Sequence, residues 1–298
     1  MTTSHKMSKA LFAVFFINAL VAILAISFYR SAHSLSVSDY ELHTHVSTDL
    51  RIVHLTDLHN STFGDGNARL VAKAADQHPD LIFLTGDLLN ADEERTDIAT
   101  GLISGLSKIS PVYISYGNHE KDYEEKYGVD LAKLYEEAGG IVLERSWRDV
   151  TVKENELRIG GIYGYCERED LLESNEADPE EVQFLLDFQN TDRETMLLCH
   201  MPFCWLHTGS LDSYNIDTVW AGHVHGGQVI LPFIGGMYGP DFGWFPGRLQ
   251  GLFSSDDGEK HLILSRGLGS REKLPRLNNV PEVMVVDLVP EFSADSAG

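Results

Sequence analysis

The chain reads as an α/β domain carried behind a single apolar N-terminal helix. Three patterns predict this. Over residues 51–138, short apolar β-type runs alternate with helical periodicities, the rhythm of parallel strands joined by right-handed crossovers. Over residues 149–288 the rhythm gives way to a hairpin and further strand-like runs, so β structure is added to the parallel half. Residues 10–29 hold twenty positions without a charge. No composition break, linker-like stretch or internal repeat divides residues 50–290, so one large domain is expected.

In chain order, residues 1–9 form a short leading segment. Residues 10–29 (ALFAVFFINALVAILAISFY) have only Asn18 and Ser27 as polar interruptions. As a helix they extend about 30 Å, one hydrocarbon thickness. A cleaved secretory signal has a shorter apolar core, of about 7–15 residues, and Ala32-x-Ser34 is a poor cleavage site, so a permanent transmembrane helix is expected. Lys6, Lys9 and the terminal amine precede the span, whereas Asp39 and Glu41 follow Arg30. The positive-inside rule then predicts a single-pass cell-membrane protein with a cytoplasmic N-terminus and an extracytoplasmic domain. Residues 30–47 are polar and Ser/His-rich and read as a linker, with His33, His43 and His45 solvated. Residues 48–290 form the domain and 291–298 a polar tail. Within the domain, strands are expected at 51–56, 81–85, 112–116, 149–153, 157–162, 196–199, 218–221, 249–253, 262–265 and 283–288. Helices are expected at 67–77, 95–106 and 130–138.

A formal charge of −22 excludes nucleic-acid binding by phosphate neutralisation, and no basic stripe offsets it. Adhesion to anionic lipid through charge is excluded likewise, beyond the extreme N-terminus. A phosphorylated substrate meeting so acidic a chain needs local positive charge, which two divalent ions supply. Cys166, Cys199 and Cys204 make no disulfide framework; Cys199 reads as a buried small residue, and a Cys199–Cys204 bridge is left open.

The chemistry lies just past the strand ends. There the sequence places Asp57-x-His59, Gly86-Asp87, Gly117-Asn118-His119-Glu120, His200 and Gly222-His223-Val224-His225-Gly226-Gly227. Side chains at the C-terminal ends of strands in an open α/β sheet point into one crevice. Carboxylate and imidazole suit Zn, Fe, Mn and Co alike, and a pair of such ions serves phosphoester hydrolysis. Asp57 and His59 alternate across a strand end, so both can face one ion. Asp87 has oxygens with lone pairs on both sides and can bridge two. The i, i+2 spacing of His223 and His225 needs extended backbone. His54 and His261, inside apolar runs, read as structural.

Five motifs in this order and spacing resemble the calcineurin-like metallophosphoesterases over residues 51–288. The stretch GHVHGGQVILP and SRGLG at 265–269 resemble their membrane-associated YkuE/YaeI-like branch. The resemblance implies a four-layer α/β/β/α sandwich, two mixed sheets flanked by helices. It implies two divalent metal ions (Mn, Fe, Zn or Co), one held by Asp57, His59, Asp87 and His225, the other by Asp87, Asn118, His200 and His223. His119 is then the catalytic imidazole beside the leaving oxygen, Glu120 a carboxylate that orients it, and the nucleophile a metal-bridging hydroxide attacking in line. The chain departs from the commoner pattern at Asn90, where many relatives carry Asp, and at Val224, where Thr is frequent; neither is a ligand position.

For substrate, the absence of an Arg/Lys cluster near the motifs favours a phosphodiester or pyrophosphate over a dianionic monoester. The aromatic stretch at 231–253 reads as a substrate lip suited to a lipid-linked phosphate. Alternatives are a UDP-2,3-diacylglucosamine hydrolase-like enzyme of lipid A biosynthesis, whose substrate is cytoplasmic, and a phosphomonoesterase. From other classes come a metal-dependent peptidase and a non-catalytic membrane-anchored binding module.

Overall fold

The computed structural model describes residues 2–164, 178–269 and 275–291; Cys166 and residues 292–298 of the tail lie outside them. The elements follow as α1 (Thr2–His33), β1 (Ser36–Thr44), β2 (Leu50–Leu55), α2 (Ala68–Ala75), β3 (Leu81–Thr85), α3 (Asp97–Leu106), β4 (Val112–Ser115), α4 (Asn118–Tyr127), α5 (Leu131–Glu137) and β5 (Ile141–Val142). The second half adds β6 (Ser146–Val152), β7 (Asn155–Ile162), α6 (Pro179–Phe188), β8 (Glu194–Cys199), α7 (Phe203–His207), α8 (Ser210–Ser213) and β9 (Thr218–Ala221). It closes with β10 (Ile230–Leu231), β11 (Gly235–Gly239), β12 (Gly243–Gly247), β13 (Gly251–Ser254), β14 (His261–Leu264) and β15 (Glu282–Pro290).

Two mixed six-stranded sheets, ordered β1-β15-β2-β3-β4-β5 and β13-β14-β9-β8-β7-β6, pack face to face with helices outside, and β10-β11-β12 form a small third sheet. Period-2 alternation decides which side chain goes where. In the first sheet Leu50, Ile52, Leu81 and Phe83 point into the interface between sheets, where Met196, Leu198 and Trp220 of the second meet them. Val53, Leu55, Ile82 and Leu84 face the helices on one outer side. Leu197, Cys199, Val219 and Ala221 face the helices on the other. Burial on both faces is why these strands read as unbroken apolar runs. Trp220 anchors the interface, edge-on to Phe83 with ring centroids 4.9 Å apart. Cys199 and Cys204 are buried thiols, so no bridge joins them. His54 is buried and hydrogen-bonded to Thr85 Oγ1 at 2.8 Å, and burial pushes its pKa down to about 3, consistent with a structural neutral imidazole.

One expectation is corrected. Residues 30–47 are not a tether: α1 continues to His33, and Ser36–Thr44 pairs in parallel with β15 along its whole length, from Ser36 opposite Glu282 to Thr44 opposite Pro290. The polar alternation that suggests a linker is that of an edge strand, with Leu42 buried in the inter-sheet core and polar neighbours facing water.

The apolar stretch of α1, Leu11–His33, has a mean hydropathy of 2.6 and is long enough to cross a membrane, and its large apolar side chains from Leu11 to Tyr29 stand exposed. Its C-terminal end is docked. Asn278 N donates to Ser27 Oγ (2.9 Å) and Asn279 N to Ser31 Oγ (3.1 Å).

Candidate metal centre

Strands β2, β3, β4, β8 and β9 deliver their C-terminal loops to one edge of the sandwich, and the predicted ligands converge there. His59 Nε2 lies 3.9 Å from Asp57 Oδ1 and 3.6 Å from Asp87 Oδ2. His200 Nε2 lies 3.2 Å from Asp87 Oδ2 and 4.0 Å from Asp57 Oδ1. His225 Nδ1 is 3.9 Å from Asp57 Oδ1. Donor atoms of Asp57, His59 and His225 fall within 4.8 Å of one another, as do those of Asp87, His200 and His223, and those of His59, Asp87 and His119. Asp87 therefore belongs to both sides.

The backbone is bent to make this possible. Asp57, His59, Asp87, His223 and His225 all adopt left-handed φ, between 47 and 70°. For non-glycine residues that conformation is strained and persists where surrounding contacts enforce it. Those contacts are present: Asp57 N donates to Gly86 O (3.1 Å), His59 N to Asp87 O (2.9 Å) and Gly269 N to Asp57 O (2.6 Å). His223 N donates to Asp57 Oδ1 (3.0 Å) and His119 N to Asp87 Oδ1 (2.9 Å). Gly86 and Gly117 meet where a Cβ on Gly86 would stand 2.2 Å from Gly117 N, so this crossing of two ligand loops requires glycine.

Outer partners fix the imidazole tautomers. His200 Nδ1 donates to Thr85 O (2.6 Å) and His59 Nδ1 to Asn90 Oδ1 (3.1 Å), which turns the Nε2 of each toward the centre. Asn90 thus supports a ligand as an aspartate would, but without its charge. Its Nδ2 returns a bond to His59 O at 3.1 Å.

A test of fit comes from the donors themselves. His59 Nε2, His200 Nε2 and Asn118 Oδ1 are buried with no hydrogen-bond partner among the described residues. His200 Nε2 also stands 3.2 Å from Asp87 Oδ2. Orphaned buried polar atoms are costly. Two of them, His59 Nε2 and His200 Nε2, stand within 4.0 Å of both Asp57 and Asp87, an arrangement that fits cations. Burial raises the pKa of Asp57, and neighbouring Asp87 adds to it. Burial acts on Asp87 too, but His200, His59 and His119 outweigh it and hold its carboxyl well below the usual range. Burial lowers His59 to about 4, and burial with His59 and Arg276 lowers His225, so both imidazoles are held neutral, the form that could bind a metal. His200 differs: burial alone would lower it, yet Asp87 lifts it to about 10.

The two predicted catalytic side chains part company. His119 packs edge-on against His59 with centroids 4.7 Å apart, and its Nδ1 accepts from Ala91 N at 3.0 Å. The neutral ring therefore carries its proton on Nε2. Glu120 does not orient His119, which corrects the sequence reading. It is buried, and its carboxylate accepts from Asp87 N (2.7 Å), Leu88 N (2.8 Å), Gly117 N (2.9 Å) and Tyr135 OH (3.3 Å). It sits at the third position of α4, where the carboxylate reaches back over the helix start and ties two ligand loops together.

Two residues are not singled out in the sequence, although Asp241 falls within the 231–253 stretch. Asp241 Oδ2 lies 3.2 Å from His223 Nε2. Buried Arg276 approaches His225 Nδ1 at 3.4 Å while donating to Gly269 O, Arg266 O and Asn279 Oδ1. Neither has a motif of its own, since both lie in irregular segments far from the ligands in sequence.

A sequence profile described as calcineurin-like phosphoesterase matches residues 50–227. The chain is 26% identical over 254 residues to phosphodiesterase YaeI of Escherichia coli (strain K12), covering 80% of this chain and 82% of that protein. It is 25% identical over 274 residues to the uncharacterized metallophosphoesterase YkuE of Bacillus subtilis (strain 168), covering 87% of each. A solved 5'-nucleotidase precursor from Thermus thermophilus superposes with a TM-score of 0.48 at 13% identity, covering 81% of this chain and 54% of that one.

Proposed function

Because the chain belongs to the calcineurin-like phosphoesterase family, and is thereby a metal-dependent phosphoester hydrolase, we propose that it cleaves a phosphodiester or pyrophosphate at the centre described above. Asp57, His59, Asp87 and His225 would hold one divalent cation, and Asp87, Asn118, His200 and His223 the other. When bound, such a pair supplies Lewis-acid polarisation, a lowered pKa for water and neutralisation of phosphoryl charge. The chain's own residues do the rest. His119, its proton held on Nε2 by the Ala91 N–H, donates toward the leaving oxygen. Glu120 holds the Asp87 and Asn118 loops in register and takes no part in proton transfer. A diester is favoured over a monoester because, among the described residues, the guanidinium that touches the ligand set, Arg276, is committed to the carbonyls of Gly269 and Arg266.

The reading is carried by one observation: Asp87 Oδ2 stands 3.6 Å from His59 Nε2 and 3.2 Å from His200 Nε2, one carboxylate shared by two ligand sets. Alanine at Asp87 or His223 is expected to abolish turnover of a chromogenic phosphodiester while the fold survives by circular dichroism. Normal rates in either variant would refute the assignment.

The same reading makes α1 a permanent membrane anchor with the N-terminus cytoplasmic and the domain outside, on the strength of its length, its hydropathy and Lys6 and Lys9 before its apolar stretch. A substrate whose phosphate is linked to lipid suits an enzyme so held. The opposite topology would bring cytoplasmic UDP-2,3-diacylglucosamine within reach. Protease protection of the domain in sealed vesicles separates the two.

A further inference from the structure

Outside α1, every large apolar side chain that is exposed among the described residues lies in one place: Phe233, Ile234, Trp244 and Phe245. All four belong to the small sheet or its first turn. Phe233 is fully exposed, and Ile234, Trp244 and Phe245 are 55%, 62% and 55% exposed. Such a concentration marks a contact surface.

The position of this sheet says which contact. At its β10 end, Ile230 N donates to Leu277 O (3.1 Å) and Asn278 Nδ2 donates to Ile230 O (3.0 Å). Asn278 in turn donates its N–H to Ser27 of α1 at 2.9 Å. One residue therefore stands between β10 and the apolar helix. The other end of the sheet, the turn from β11 to β12, places Asp241 beside His223. The sheet thus reaches from the flank of α1 to the metal centre.

We propose that the β10–β12 sheet is a second membrane contact, in which Phe233, Ile234, Trp244 and Phe245 seat in the headgroup–acyl boundary of the bilayer that α1 crosses, holding the mouth of the metal centre at that surface. The proposal rests on the reading of α1 as an anchor. Aromatic side chains favour that boundary because the ring is apolar and its edge tolerates water. Charge cannot be the attraction, since the chain carries a formal −22. Apolar seating can, and continuity with α1 makes the bilayer the occupant rather than a soluble protein.

The test uses the full chain in phosphatidylcholine vesicles with brominated acyl chains. The emission of Trp244 is isolated as the difference between the wild-type protein and W244F, whose remaining signal comes from Trp147, Trp205 and Trp220. Two further variants in the W244F background, F233W and F16W, report the tip of the sheet and the middle of α1. We expect the emission from positions 244, 233 and 16 to fall by half or more, and that of W244F itself to change little. Quenching at position 16 alone overturns the second contact and leaves the anchor standing. Quenching at none of the three overturns the anchor, and the second contact with it.

Discussion

At the residue scale the proposed centre is organised by hydrogen bonds that its candidate ligands make away from the site where the metals would sit. His119 illustrates the consequence. Its Nδ1 is occupied by the Ala91 N–H, so the proton available for catalysis is on Nε2. Replacement by alanine should lower kcat by about 10²–10⁴-fold while metal content stays unchanged. The loss should be larger for an alkyl than for a nitrophenyl leaving group, because the better leaving group needs less protonation; equal losses would show that His119 does not act as an acid. Glu120 behaves differently. Alanine there strands three buried N–H groups and a tyrosine hydroxyl, and should cost about 3 kcal/mol or more in urea unfolding. Metal affinity should fall with it. Full stability in E120A would return Glu120 to the role the sequence suggests.

At the element scale, what the sequence disclosed depended on how completely an element is buried. β3 and β9 fall where their apolar runs predict, at Leu81–Thr85 and Thr218–Ala221, because both faces of these strands are covered. The ligand positions were legible for a related reason: each follows such a run directly. α4 was not legible. Its NHEKDYEEKY sequence lacks an apolar stripe, yet Glu120 and Tyr123 are buried. β10–β12 are short and rich in glycine, and carry no alternation to read. β1 hid behind an edge strand's polar face. That element gives a direct test: Leu42 is 7% exposed in the inter-sheet core, so L42A should destabilise the domain by about 2–5 kcal/mol in urea unfolding. A residue in a solvated tether would change nothing.

At the scale of the whole molecule, strand direction divides the labour. The C-terminal strand ends hold the ligands, and the N-terminal end of β8 holds Glu194, 5% exposed, near Asp217. Burial, then repulsion from Asp217, raises its pKa to about 8. With the folded value above the unfolded one, the folded state binds the extra proton. Stability from this group is therefore complete below the unfolded carboxylate value and is lost as pH rises toward 8, at up to about 1.4 kcal/mol per pH unit. E194Q should match the wild type at pH 4 and exceed it at pH 8 in urea unfolding; parallel pH profiles would contradict this. The central claim, however, is that groups drawn from five loops enclose two cations sharing Asp87. It is tested most directly by the metal content of the purified full-length protein after loading with Mn and removal of excess. Two equivalents per chain are predicted, and a value that saturates at one would contradict the account.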